Sequence, residues 1–134
     1  MKIIRLLSST FALITCIVLL NISAADTSPT SISAPKLQEL LKSESNDMLL
    51  LDVRSPREYA QGHISTALNI PHTVLGKNIY KIDNYKNKPV IIYCRSGVRA
   101  GIASQILSDA GFSKLLHLSG DMNGWHAAGF PVQK

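Results

Sequence analysis

Cys94 is the side chain with the most chemistry to offer. It opens the run Cys94-Arg95-Ser96-Gly97-Val98-Arg99, between an apolar, β-branched stretch at 89–93 and a stretch of helical periodicity at 98–110. A cysteine at that junction points its sulfur at the first turn of a helix. There, unpaired backbone N–H groups and the positive end of the helix dipole favour an anion. A thiol in such a place tends toward the thiolate, the nucleophilic form. Arg95 and Arg99 add charge and forked donors suited to an oxyanion. Gly97 lets the backbone approach the sulfur closely or take a positive φ. A buried structural cysteine fits this polar, arginine-bearing loop poorly.

The elements that must hold the loop follow from pattern. The 89–93 run reads as a strand buried on both faces. The 98–110 helix presents Val98, Ile102, Ile106, Leu107 and Ala110 as its apolar face and stops at Gly111. Upstream, 31–33 is a short edge strand, 35–42 a helix with Pro35 in its first turn, and 48–53 a second central strand. Ser55 and Glu58 make a capping box for a short helix that ends near Gly62. A brief strand at 67–69 is closed by Pro71, and 72–88 holds one or two helical turns and a loop. A last strand at 115–118 and a helix at 121–127 complete the pattern. Strands alternating with helices predict a small α/β domain, a mostly parallel central sheet flanked by helices on both faces. Such sheets bind ligands at the strand C-termini, the edge where Cys94 lies.

The chain has 134 residues, enough for one domain. Its start reads as a secretory signal peptide over 1–25: Met1, Lys2 and Arg5, an apolar stretch at 6–22, and the small-residue site Ser23-Ala24-Ala25. A flexible leader at 26–30 would precede a domain at 31–134. Export to the periplasm is expected, an uncleaved membrane tether being the alternative; a lipid anchor at Cys16 is disfavoured by Thr15. Cleavage removes two positive residues and no acid, taking the formal charge from +5 to +3. It also removes Cys16, so Cys94 stands alone without a disulfide partner. Lys77, Lys81, Lys86 and Lys88, with Asp83 among them, read as a solvated face; no nucleic-acid partner is expected. His63, His72, His117 and His126 are scattered, and neither a metal nor a cofactor is expected.

Three blocks in order give the chain a family likeness. The first is Leu51-Asp52-Val53-Arg54 with Glu58-Tyr59, Gly62-His63-Ile64, Ala67 and Asn69-Ile70-Pro71. The second is Tyr93 through the Cys94 loop to Ala100. The third is Leu118-Ser119-Gly120 with Trp125, Ala128-Gly129 and Pro131-Val132. Over 31–132 the sequence resembles a rhodanese domain, a single-domain thiosulfate sulfurtransferase of the exported bacterial type. One departure is noted: the family often carries two glycines where this chain has Ser119-Gly120, which touches turn geometry only. The resemblance implies a rhodanese-like fold and a persulfide on Cys94, formed from thiosulfate or a similar donor and passed to cyanide or a thiol acceptor. Backbone N–H groups of Arg95, Ser96, Gly97, Val98 and Arg99 would cradle the anionic sulfur, and Arg95 and Arg99 would bind the donor's sulfonate. A general base is not required, and no histidine is near Cys94 in sequence. Asp52 and Arg54 would support the site by tying the neighbouring loop with charge-assisted hydrogen bonds. His63 reads as a satisfied turn histidine and Trp125 as packing.

Two other functions compete. Phosphatase or arsenate-reductase chemistry needs a Cys-x5-Arg loop around a tetrahedral oxyanion; here Arg99 closes a Cys-x4-Arg loop and position 100 is alanine. The shorter loop suits a single sulfur atom, and no phosphatase activity is expected. A sulfur carrier that hands its persulfide to a dedicated protein has the same residues and stays open. A monomer with no membrane association after cleavage is the expected state.

Overall fold

The computed structural model describes residues 30–43 and 47–134. The expected signal peptide and most of the expected leader therefore lie outside the described residues. Thr30, assigned to the leader, instead opens the first strand, β1 (Thr30–Ile32). The remaining elements are α1 (Ala34–Lys42), β2 (Leu49–Asp52), α2 (Pro56–Gln61), β3 (Leu68–Asn69), α3 (His72–Leu75), a 3₁₀ segment (Gly76–Tyr85), β4 (Val90–Tyr93), α4 (Val98–Asp109), β5 (Leu115–Leu118) and α5 (Asp121–Ala127). No helix among the described residues is long and apolar enough to cross a membrane.

Local rules set the helix starts. Ser33 caps α1 by accepting the Lys36 N–H, with proline in the first turn. Ser55 and Glu58 form a complete capping box on α2, which ends at Gly62. The vague stretch 72–88 resolves into α3 and the 3₁₀ segment, anchored by buried Leu75 and Ile82.

The five strands form one sheet in the order β1-β5-β4-β2-β3, and every neighbouring pair is parallel. β2 and β4 are buried throughout, as a central strand covered on both faces requires. Alternation along them builds two cores. Leu49, Leu51, Val90, Ile92 and Cys94 pack with Leu75, Ile82, Ala100, Ala103 and Leu107, on the α3–α4 side. Leu50, Ile91, Tyr93 and Leu118 pack with Leu37, Ile64, Met122 and Trp125, on the α1–α5 side.

The face of α4 departs from expectation. Val98 is 75% exposed and Ile102 47% exposed, so they do not form the buried stripe. The helix instead buries Ala100, Ala103, Ser104 and Leu107. These mostly small residues let the helix axis come close to the sheet, while Ile106 is only partly buried beside the 3₁₀ segment.

Candidate active site

Strand β4 delivers Cys94 to the C-terminal edge of the sheet, next to the start of α4. Cys94 is 1% exposed, and its sulfur accepts a hydrogen bond from the Gly97 N–H at 3.0 Å. Gly97 sits at the N-terminus of α4 with φ +111°, a left-handed conformation that glycine adopts without strain. The turn thus aims a backbone donor at the sulfur, as anion-binding loops do.

The loop is held from beneath by the corner between β5 and α5. The Cys94 N–H donates to Asp121 Oδ1 at 2.8 Å. The Met122 and Asn123 N–H groups donate to the carbonyls of Cys94 and Arg95, each at 3.1 Å. Asp121 is 2% exposed, and its Oδ2 lies 2.9 Å from His117 Nε2. A histidine therefore does stand near the loop in space. The two left-handed residues of this corner are Gly120, φ +79°, and Asp121, φ +52°. The effect of Asp121 is not confined to the turn, because its carboxylate reaches Cys94.

Arg99, on the first turn of α4, makes a two-pronged bond to Glu58 at 2.7 and 2.8 Å. Glu58 also accepts from the Ser55 hydroxyl and backbone. The Arg99 guanidinium, helped by Ser55, holds the Glu58 carboxyl well below the usual range against the opposing effect of burial. Arg99 is in turn raised, by Glu58 first and also by the Cys94 sulfur, with burial opposing. Arg95 is exposed and lines a cleft of about 360 Å³, facing Glu58 and Gln61 of α2 and Asn123 and His126 of α5. Ser96 and Val98 also point outward, so within the loop their backbone is what they can offer.

One strand over, Asp52 and Arg54 form a buried pair, Arg54 Nη2 to Asp52 Oδ2 at 2.6 Å. Burial works against the Arg54 charge, but Asp52 more than offsets it. Arg54 also donates to the Gly62 carbonyl at 2.8 Å, which ties the end of α2 to β2. A buried pair of this kind adds little net stability, yet losing one partner costs about 3–5 kcal/mol, so its role is positional. Beside it, burial and then the Asp52 charge push the Tyr93 phenol up. His63 Nδ1 lies 3.0 Å from the Tyr59 carbonyl and its ring stacks on Tyr59. Trp125 is buried and donates to the Pro131 carbonyl. Among the described residues no cluster of His, Cys, Asp or Glu could hold a metal ion.

Glu58, His117 and Asp121 were not among the residues read from sequence as part of the site. Glu58 carried a signal, the capping box, which faces the strand ends. The other two become neighbours of Cys94 only once β5 is known to lie beside β4.

The rhodanese-like domain family model matches residues 33–128. A sulfurtransferase of Allochromatium vinosum is 37% identical over 89 residues, 66% of this chain and 81% of that protein. A thiosulfate sulfurtransferase, GlpE, of Actinobacillus pleuropneumoniae is 30% identical over 104 residues, 78% of this chain and 93% of that protein. Among solved structures, a rhodanese-related protein of Thermoplasma volcanium superposes with a TM-score of 0.65 at 32% identity, covering 78% of this chain and 97% of that one. A family match across nearly all of the folded region, with relatives and a solved structure aligned over most of their length, makes this chain a member of the rhodanese-like domain family.

Proposed function

We propose that this protein is a sulfurtransferase that carries sulfane sulfur as a persulfide on Cys94, taking it from thiosulfate and giving it to cyanide or a thiol. The observation that carries this reading is the Gly97 N–H held 3.0 Å from the Cys94 sulfur at the start of α4. That geometry favours anionic sulfur both before and after transfer. In the first step the Cys94 thiolate attacks the outer sulfur of thiosulfate. A new S–S bond forms, the donor's S–S bond breaks, and sulfite leaves with the electron pair. In the second step cyanide attacks the outer persulfide sulfur, leaving as thiocyanate and returning the thiolate. No proton need move, because each nucleophile arrives as an anion. Arg95, exposed on the cleft, offers its guanidinium to the sulfonate, while Arg99 adds charge near the sulfur from its clamp on Glu58. The sulfurtransferase names of the Allochromatium and Actinobacillus relatives support the reaction class. The apolar, small-residue start of the sequence supports action in the periplasm.

Burial of the sulfur favours one second reading, a carrier that gives its persulfide only to a docked protein. Intact mass measured after incubation with thiosulfate tests the site. A gain of about 32 Da, lost on adding cyanide and absent in Cys94→Ser, is expected. No gain on reduced, accessible Cys94 would remove thiosulfate as donor; a gain that small acceptors cannot discharge would move the carrier reading forward.

A further inference from the structure

Buried Asp121 and half-buried His117 meet against the loop and are unused by the steps above. Asp121 occupies a left-handed backbone position, φ +52°, where glycine would be unstrained and aspartate is tolerated at a cost. Strain of this kind, retained at a site, points to a function for the side chain. Both carboxylate oxygens are engaged: Oδ1 takes the Cys94 N–H at 2.8 Å, and Oδ2 meets His117 Nε2 at 2.9 Å. A methyl group built on Gly97 would lie 3.3 Å from Asp121 Oδ2 and 3.5 Å from His117 Cε1. The pair therefore bonds Cys94 and lies beside Gly97, the two residues joined by the N–H···S hydrogen bond.

Resting on the sulfur-transfer reading of Cys94, we infer that Asp121 and His117 are positioning residues: they clamp the loop from beneath, and the net charge of the pair sets how strongly the site favours anionic sulfur. An ionised carboxylate this close opposes a thiolate or persulfide. A protonated imidazole bonded to that carboxylate cancels the opposition, and a neutral one leaves it in force. The other charged or titratable groups about the loop are Arg99 with its partner Glu58, exposed Arg95, and Arg54 and His126 across the cleft. The strand neighbours of His117, Ser31 and Ile92, carry no charge.

Iodoacetamide alkylation of the full chain, followed at the Cys94 peptide by mass spectrometry and with no sulfur donor present, reads the thiolate directly. Asp121→Asn keeps an oxygen for the Cys94 N–H and removes the charge; it should react roughly three- to tenfold faster. His117→Gln keeps a donor to the carboxylate and cannot carry charge. It should react several-fold slower than the parent at pH 6 and match it at pH 8. Asp121→Gly, which relaxes the backbone, is the second variant should the asparagine form fold poorly, and it too should react faster. Folded variants with parental rates, or shifts in one direction alike at both pH values, overturn the inference. Failure of the parent to take sulfur from thiosulfate, with these opposite shifts intact, would remove the transfer reading and leave the role of the pair standing.

Discussion

Glu58 serves two helices at once. It completes the capping box of α2 and grips Arg99 on α4, so one carboxylate sets both the start of a helix and the direction of an active-loop arginine. Its folded-state value is depressed below the ordinary 4.5. Stability from the pair is therefore fully present above that pH and is lost as acid titrates the carboxylate below it. Both side chains are partly exposed, so the loss is modest. Glu58→Gln should lower stability at pH 7 by at most about 1 kcal/mol, with the gap to the parent narrowing steadily below pH 4.5; urea titrations across pH measure it. A gap that widened in acid would contradict the linkage. The same variant should raise the KM for thiosulfate through a misdirected Arg99. At this scale the sequence reveals what is contiguous. Cys94, Gly97 and Arg99 stand within one loop and one turn, so their chemistry is readable from spacing. His117 and Asp121 lie well downstream, and only strand order brings them beneath the sulfur.

The elements divide in the same way. Strands β2 and β4 announce themselves as unbroken apolar runs, and the Ser55 capping box marks α2. Helix α4 misleads, because periodicity weights large apolar residues while close packing on a sheet selects small ones. Its contact face is Ala100, Ala103, Ser104 and Leu107, and the bulkier Val98 and Ile102 are left toward solvent. The two faces should respond oppositely to size. Ala103→Leu forces a larger group between helix and sheet and should cost about 1–3 kcal/mol. Val98→Lys should change stability by less than about 0.5 kcal/mol. Thermal melts of the two variants compare them directly; equal costs would mean that α4 is rotated about its axis from the orientation described.

Across the whole molecule, the end of the chain braces the wall of the cleft. Gln133 and His63 exchange backbone hydrogen bonds at 2.8 and 2.9 Å, Pro131 accepts from Trp125, and Val132 packs on Gly62. Gly62 is the residue whose carbonyl Arg54 holds. Ending the chain after Phe130 removes three hydrogen bonds and one apolar contact, and should cost about 2–4 kcal/mol. The measurement is a urea midpoint with the Cys94 alkylation rate alongside; unchanged values would show that the wall stands without its brace. The parallel α/β plan was legible from the alternation of runs, whereas the order β1-β5-β4-β2-β3 was not, since no local pattern says which strand a given strand will join. That order has a consequence for how the protein is made. β1 leaves the ribosome well before β5, its strand partner among the described residues, which also carries His117 and joins β4. The sheet can close, and Asp121 can seat under Cys94, only after β5 and the start of α5 have been made, so a chain stalled before that point carries Cys94 in a loop that is not yet braced.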